Sequence, residues 1–519
     1  MSDHSKIRLH SQVHIAHVVL EAVTPLSIST GSPDGVFDSA LVRDANDLPA
    51  IPATSLAGVL RNLYTQQHGV KAAQRLFGYQ DGDDGAASRL HVGWGHLLDS
   101  RGRAACGLLL GREAQRLRDD PLLADALAQQ DNPNHRNRVR LTHRGAAADT
   151  GKFDRTVLPA GHRFAVELRL YTAPDETDDL WQSLLSLLGH PGLRLGGGVR
   201  AGLGRMRCIR LHTSRFDLRQ PAQAQALARL GADPSATQGL DARPIPQFQG
   251  AHWLDSTLSL DARSMPQFPG VDRLDSALSL DAHNLWRIGQ GDVAIGNIGP
   301  DDKTPDLLPV TERRVLWKDG RGQVNAQREL LLPATSLKGV LAHRMAFHAR
   351  RFAGRWADQE HARDRDGHPI PPPEVLALFG QIKDKAEAGQ APQGWAGCLF
   401  IDDTYLPIHP SARLMHNSID RFTGGVREHM LFEEENVYGG QAAVHLSIDL
   451  QRLKSAASHH GTTLAAIQKA FVAALRDLGE GRLALGARST SGNGFFRAVI
   501  PPELTTAWPE PASPQLEAA

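Results

Sequence analysis

The 519-residue chain is short of cysteine, of lysine, of net charge and of long apolar runs, and each shortage removes a class of function. Its three cysteines, Cys106, Cys208 and Cys398, are far apart and form no CxxC or Cys/His spacing. A disulfide framework and a zinc knuckle are therefore excluded, and a reducing cytoplasm is the expected compartment. No segment approaches the roughly 18 uncharged apolar residues of a membrane span, and the opening MSDHSKIRLHSQVHIAHVVLEA has no apolar stretch of signal-peptide length. No membrane partner is expected. With 57 Lys+Arg against 57 Asp+Glu, no net basic field advertises a polyanion. Only ten of those 57 basic residues are lysine; the others are arginine, whose planar guanidinium suits bidentate contacts. What is present is ample material for packed cores, 41% hydrophobic residues with 22% charged.

The chain is written twice. PATSL-x-GVL occurs after Ile51 and again after Leu332, pairing Pro52 with Pro333. LFG follows at Leu76–Gly78 and again at Leu378–Gly380, and RVRLTHRGAAADTGKFDRTVLPAG from Arg138 is matched by SIDRFTGGVREHMLFEEENVYGG from Ser418. Last, LGGGVRAGLG from Leu195 is matched by LGARSTSGNG from Leu485. Four matches in one order define two homologous domains in tandem. Between them, DARPIPQFQGAHWLDSTLSL (241–260) is repeated as DARSMPQFPGVDRLDSALSL (261–280), identical at 13 of 20 positions. Because the later copy runs on into the second domain, it is expected to carry that domain's first strand, with the boundary near Leu274. The divisions are then a first domain over 1–214, a linker over 215–273 with its duplication, a second domain over 274–500, and a Pro-rich disordered tail over 501–519.

Each half reads as α+β. In the first, VHIAHVVLEA is a strand, a Gly/Asp/Pro loop follows, and SALVRD is a short strand. After Pro52, Thr54 and Ser55 are natural cap residues for a helix whose Leu56, Val59, Leu60 and Leu63 recur at helical spacing. HRFAVELRLYT is a strand, a helix spans about 176–188, and a Gly-rich loop leads to a final strand, GRMRCIRLHT. That order is the order of a ferredoxin-like (RRM-like) domain. His14 and His17 fall on opposite faces of the first strand and read as structural.

Two features carry anion chemistry. Thr54 and Ser55 in one half, and Thr335 and Ser336 in the other, stand at helix starts where free N–H groups and the helix dipole favour a phosphate; Arg61 and Lys338 lie close by. In the loop after Arg194, Gly196, Gly197, Gly198 and Gly202 alternate with Arg200 and Arg205, so a backbone can approach a phosphate chain. The second loop keeps Gly492 and Gly494 and has Arg488. The loop lacks the Gly-Lys-Ser/Thr ending of a Walker sequence and opens no βαβ unit, so neither a P-loop nor a dinucleotide fold is expected.

With GVFDSALVRDANDLPAIPATSLAGVLR, LFG with ASRLHV, the thumb-like Arg138 segment and LGGGVRAGLG in that order, the chain resembles the backbone subunit of type III CRISPR RNA-guided effector complexes, of the RAMP superfamily. Its two fused domains most resemble the double subunit of type III-D variants. The resemblance implies that each half carries a thumb, a hairpin that wedges into the guide–target duplex; Arg140, His143 and Arg144 in one half and Arg421, Phe422 and Arg427 in the other supply its cationic and stacking character. It also implies a target-RNA cleavage site at Asp38 in GVFDSAL, where a carboxylate holds a divalent metal, Mg²⁺ or Mn²⁺, or orients the sugar for attack by the 2′-OH. Counting back from the second PATSL places Glu312 opposite Asp38, and the preceding loop offers Asp301, Asp302 and Asp306 as further carboxylates. Because glutamate is longer by a methylene, the first domain is expected to cut and the second mainly to bind. The implied partners are guide RNA, target RNA and other complex subunits, including further backbone subunits and a polymerase-like large subunit. Rival readings are a non-catalytic RNA-binding scaffold and a guide-processing ribonuclease with a histidine-based site.

Overall fold

A computed structural model of the chain describes residues 10–31, 40–141, 147–248, 253–261, 285–296, 303–356, 359, 363, 369–381 and 394–509. The fold is mixed α+β, built on two antiparallel sheets that repeat one plan. In the first half, β1 (Gln12–Ala22), α1 (Ala53–Phe77), β2 (Leu90–Val92), the hairpin β3–β4 (His135–Leu141 and Ala147–Thr156), β5 (Arg163–Thr172), α2 (Asp179–Ser186) and β6 (Met206–Asp217) follow in order. Across the sheet the path runs β6-β1-β5-β2, every neighbour antiparallel.

The second half repeats this with β7 (Trp253–Asp261), α3 (Ala334–Phe352), β10 (Leu399–Ile401), the hairpin β11–β12 (Ser411–His416 and Phe432–Tyr438), β13 (Gln441–Asp449), two helices α4 (Leu450–His459) and α5 (Leu464–Gly479), and β14 (Arg497–Val499). Its sheet runs β14-β7-β13-β10. A hairpin, β8 (Val315–Lys318) with β9 (Arg321–Val324), is inserted ahead of α3 and has no counterpart among the described residues of the first half.

The amphipathic spacing after Pro52 works as expected: Leu56, Leu60 and Leu63 are buried against the sheet with Leu20 and Leu168. The caps differ from expectation. Pro52 and Pro333 are themselves the residues that open the helices, with no side-chain cap, so Thr54, Ser55, Thr335 and Ser336 lie within the first turns. α1 is broken at Gly69, whose φ of 82° leaves the helical region.

Three expectations about boundaries are corrected. The segment after Arg215 is not a free linker: the helix Pro221–Ala228 and the chain through Leu240 cover the outer face of the first sheet, where Leu240 packs with Val13, Ile15 and Phe216. That cover is why β1 is buried on both faces. The strand slot between β13 and β14 is filled by the earlier copy of the duplication, β7, and not by the later one at 276–281, which lies outside the described residues. Either copy offers the same inward Ser, Leu and Leu (Ser256, Leu258 and Leu260), but only the earlier one brings Trp253, stacked on Phe400 at 5.6 Å. The tail packs as far as residue 509: Leu504 and Trp508 are buried, and Ser256 donates to Glu503 at 2.8 Å. Among the described residues no helix is long and apolar enough to cross a membrane.

Candidate RNA surface and interdomain seam

The glycine-rich loop that follows α2 is turned towards the second domain, with Gly196 left exposed. It lies between the two domains, against α3 and β10. Arg194, only 2% exposed, pairs with Asp402 at 2.6 Å, and Arg205 pairs with the other oxygen of the same carboxylate at 2.9 Å. Arg200 donates from Nε to Gly397 O at 2.5 Å and lies over the Phe400 ring, while its own carbonyl accepts from Lys338 Nζ at 3.0 Å. Burial, with Arg200 and Arg138 nearby, lowers the Lys338 pKa to about 8. Three of these side chains, Arg200, Arg205 and Lys338, expected at RNA, are instead engaged within the protein. Gly202, at φ 99°, is pressed so close to the second domain that a Cβ there would overlap the Asp403 carboxylate and the Ala334 methyl.

A second cluster adjoins the first. Arg136, from the β3–β4 hairpin, pairs with Glu312 at 2.5 Å and with Asp403 at 3.1 Å, and Tyr405 donates its hydroxyl to Glu312 at 2.8 Å. Asp403 in turn accepts from the Ala334 N–H, the first of α3, at 2.8 Å. A protein carboxylate therefore already occupies the helix start where Thr335 and Ser336 were expected to receive a phosphate. Burial pushes the Asp403 carboxyl up to about 6, against the pull of Arg136, whereas Asp402 is held well below the carboxylate range because Arg194, His445 and Arg205 outweigh its burial. His445 lies 2.8 Å from Asp402 and 2.7 Å from Asp255; burial opposes its charge, but the two carboxylates raise its pKa.

The inserted hairpin completes the seam as a clasp. Val315 N–H donates to Ala160 O at 2.9 Å, Trp317 Nε1–H to Gly161 O at 2.9 Å, and Gly322 N–H to Ser100 O at 2.8 Å, with Arg163 over the Trp317 ring at 4.1 Å. Glu312 is thus an anchor between domains, not the open carboxylate expected of a cleavage site.

Backbone register also matches the strand positions that follow Asp38 and Asp306 in sequence. Val42 N–H donates to Ile28 O as Val310 N–H does to Ile288 O, and Ala50 N–H donates to Val42 O as Leu331 N–H does to Val310 O. Val42 and Val310 therefore correspond, and Glu312 matches Asp44. The residue four before Val310 is Asp306, as Asp38 is four before Val42. Asp306 is exposed, and its Oδ2 accepts from Glu433 N–H at 2.9 Å, near the loop end of the β11–β12 hairpin strands. Asp38, Asp302, His143 and Arg144 lie outside the described residues, as does the side chain of Arg140.

The other expected contacts divide. Thr54 and Arg61 are exposed and Ser55 half-buried at the start of α1. Beyond the β11–β12 hairpin, Arg421, Phe422 and Arg427 are exposed, Phe422 at 91%, along with Ile419, Val426 and Leu431. So much exposed apolar surface on one protrusion suits a wedge against bases or another apolar contact. Arg488 is turned inward, its Nε 3.5 Å from the buried Glu434. Gly196 and Gly494, at φ 81° and 82°, are needed because a Cβ would strike the Ser27 and Leu485 carbonyls, a reason internal to the turn. Gly197 lies under the Arg155 guanidinium, and Gly198 lies within the turn, beside Leu203. Gly492 is exposed, with open space beside it.

Among the described residues no three His, Cys, Asp or Glu side chains gather as a metal cluster. A single exposed aspartate such as Asp306 nonetheless fits Mg²⁺, which takes one or two carboxylates and completes its shell with water and substrate phosphate.

A family model for the RAMP superfamily matches residues 19–207 and, separately, residues 286–497. No curated protein matches the chain.

Proposed function

The chain belongs to the RAMP superfamily in both of its halves and is a CRISPR-associated RNA-binding subunit, and from that premise we propose that it is a double backbone unit of a type III RNA-guided effector complex, lying along the guide RNA and cutting the paired target from both domains. The order of strands across each sheet, with α1 and α2 packed on one face of the first, supports a ferredoxin-like reading, and in it the β3–β4 and β11–β12 hairpins take the part of thumbs. Guide RNA, target RNA, other backbone subunits and a polymerase-like large subunit are the partners of this reading. Affinity comes from phosphate contacts, and sequence choice from base pairing to the guide.

The observation that carries cleavage is the matched pair Asp38 and Asp306, one aspartate four residues before the same strand position in each half. In the reaction the ribose 2′-oxygen attacks the adjacent phosphorus, its proton passes to a base, and the 5′-oxygen leaves, giving a 2′,3′-cyclic phosphate. The aspartate holds the sugar in line and can hold Mg²⁺ or Mn²⁺, which would neutralise charge on the phosphate. Both halves, not the first alone, then cut.

Denaturing gels of labelled target RNA, run on the assembled complex with and without Mg²⁺, test this. Asp38→Ala and Asp306→Ala should each slow one cut by at least about a hundredfold and leave guide and target binding unchanged, and the double variant should stop both. Survival of every product in the double variant makes the chain a scaffold.

A further inference from the structure

The internal seam is head-to-tail: the exit face of the first domain, its glycine-rich loop and hairpin, meets the entry face of the second, its α3 start and β10 edge. Such a heterologous contact leaves one exit face and one entry face unused, and repetition would build an open filament. Whether this chain can repeat it is readable from the unused faces.

The exit face of the second domain keeps the loop's backbone. Ala487 N–H donates to Arg287 O as Gly197 N–H does to Ser27 O; Gly494 N–H donates to Leu285 O as Gly204 N–H does to Pro25 O. A 3-10 turn flanked by left-handed residues recurs, Gly198 and Gly202 in one loop and Arg488 and Gly492 in the other. At Arg488 that conformation is held without glycine, at φ 57°. The side chains do not recur. The bridge Arg194↔Arg205 becomes Ala484↔Phe495, and Arg200 becomes Thr490. Hairpin register, with Val157 N–H on Asn134 O and Tyr438 N–H on Pro410 O, replaces Arg136 by Ala412. Three seam cations are gone from the loop, which is exposed from Ser489 to Gly492, and the fourth is gone from the hairpin.

On the entry face of the first domain the changes are larger. Gly93 N–H donates to Glu167 O as Asp402 N–H does to His445 O, and Ile51 bridges Gly95 as Leu332 pairs with Thr404. Asp402 and Asp403 are therefore replaced by Gly93 and Trp94. The indole, 45% exposed, stands where the seam has room only for a carboxylate against Gly202. The clasp is missing too: a turn from Asp44 to Leu48 stands in place of the β8–β9 hairpin.

We infer that the chain ends its own stacking at the first domain and continues it at the second. The loop exposed from Ser489 to Gly492 docks a different protein, one that presents an entry face of the second domain's shape with a small, uncharged residue at the Trp94 position. A second copy of this chain does not serve, because Trp94 fills the seat and no clasp closes over the loop. A partner carrying the Asp402/Asp403 pair does not serve either, since no arginine would meet its buried carboxylates. The inference rests on membership in a multisubunit RNA complex but not on cleavage.

Two measurements test it. Sedimentation velocity of the full chain at high micromolar concentration should show a monomer; oligomers that Thr490→Asp dissolves would overturn the inference. In the reconstituted complex, a photo-crosslinking residue at Ser491 should attach to a protein other than this chain, and Thr490→Asp should lower incorporation of the chain at least tenfold while its melting curve is unchanged. A crosslink to the Trp94 region of another copy, or unaltered incorporation of Thr490→Asp, overturns it. Loss of cleavage with the crosslink intact sinks only the catalytic reading.

Discussion

In the loops Leu195–Gly204 and Leu485–Gly494 the chain follows one backbone course twice, with matching hydrogen bonds to the segments 25–27 and 285–287 and the same pair of left-handed residues around a short turn. The first loop is largely covered by the second domain and carries Arg200, bracketed by Arg194 and Arg205; the second is exposed from Ser489 to Gly492 and has serine and threonine there. The geometry is set locally, by glycines that a carbonyl would otherwise strike, whereas the side-chain chemistry is set by what lies opposite. A glycine-rich loop with arginines is therefore not by itself an RNA site: here it is half of an ion-paired joint.

The largest test of that contrast is Asp402→Ala. It would leave Arg194 buried without its carboxylate, and breaking a buried pair by removing one partner costs about 3–5 kcal/mol. Trp94→Ala, on the exposed counterpart of Asp403, should change stability by no more than about 0.5 kcal/mol. Urea unfolding of the two variants compares them directly, and equal midpoints would mean that the seam pairs contribute nothing.

Next in size is a comparison of two glycines. Gly202→Ala strains a left-handed residue and pushes a methyl into Asp403 and Ala334, whereas Gly492→Ala has the same strain and open space beside it. The strain alone costs about 1 kcal/mol, and the crowding at Gly202 should add about 1–3 kcal/mol. Thermal melts that show the two variants equal would place the loops in equivalent surroundings.

Much of this architecture was legible before any coordinates: the repeat, the buried Leu56, Leu60 and Leu63, and the structural roles of His14, whose Nε2 lies 3.2 Å from Thr172 Oγ1, and His17, paired with Glu167. The seam was not, because Arg194 and Asp402 are 208 residues apart and each looks unremarkable beside its neighbours. A signal did exist. Arginines present in the first copy and absent from the second face aspartates present in the second copy and absent from the first, and that reciprocity marks an internal joint. The match of Val42 with Val310, on which the proposed pairing of Asp38 with Asp306 rests, was hidden by the 315–324 hairpin, an insertion that shifts any count made backwards from Pro333. Only backbone hydrogen bonds on the near side of the insertion restore the register.

The smallest effect concerns pH. His445 bridges Asp402 and Asp255 in the second domain, whereas its counterpart in the first is Glu167, paired with His17 and Arg169. Because the folded pKa of His445 is raised above the ordinary value of 6.5, its stabilisation is complete below pH 6.5 and is lost as pH rises through the folded value. Asp403, with a folded pKa of about 6, lowers stability as pH rises from 3.8 and contributes no further change well above 6. Lys338, depressed to about 8, adds stability only as pH rises from there towards 10.5. Above pH 6.5 and below the onset of the lysine's titration, the histidine is therefore the group in the seam whose stabilisation is being lost. The urea midpoint should fall across that interval in the native chain, and His445→Gln should flatten the slope while Glu167→Gln leaves it in place. A slope that survives His445→Gln would move the pH sensitivity out of the seam and make the two domains alike in this respect.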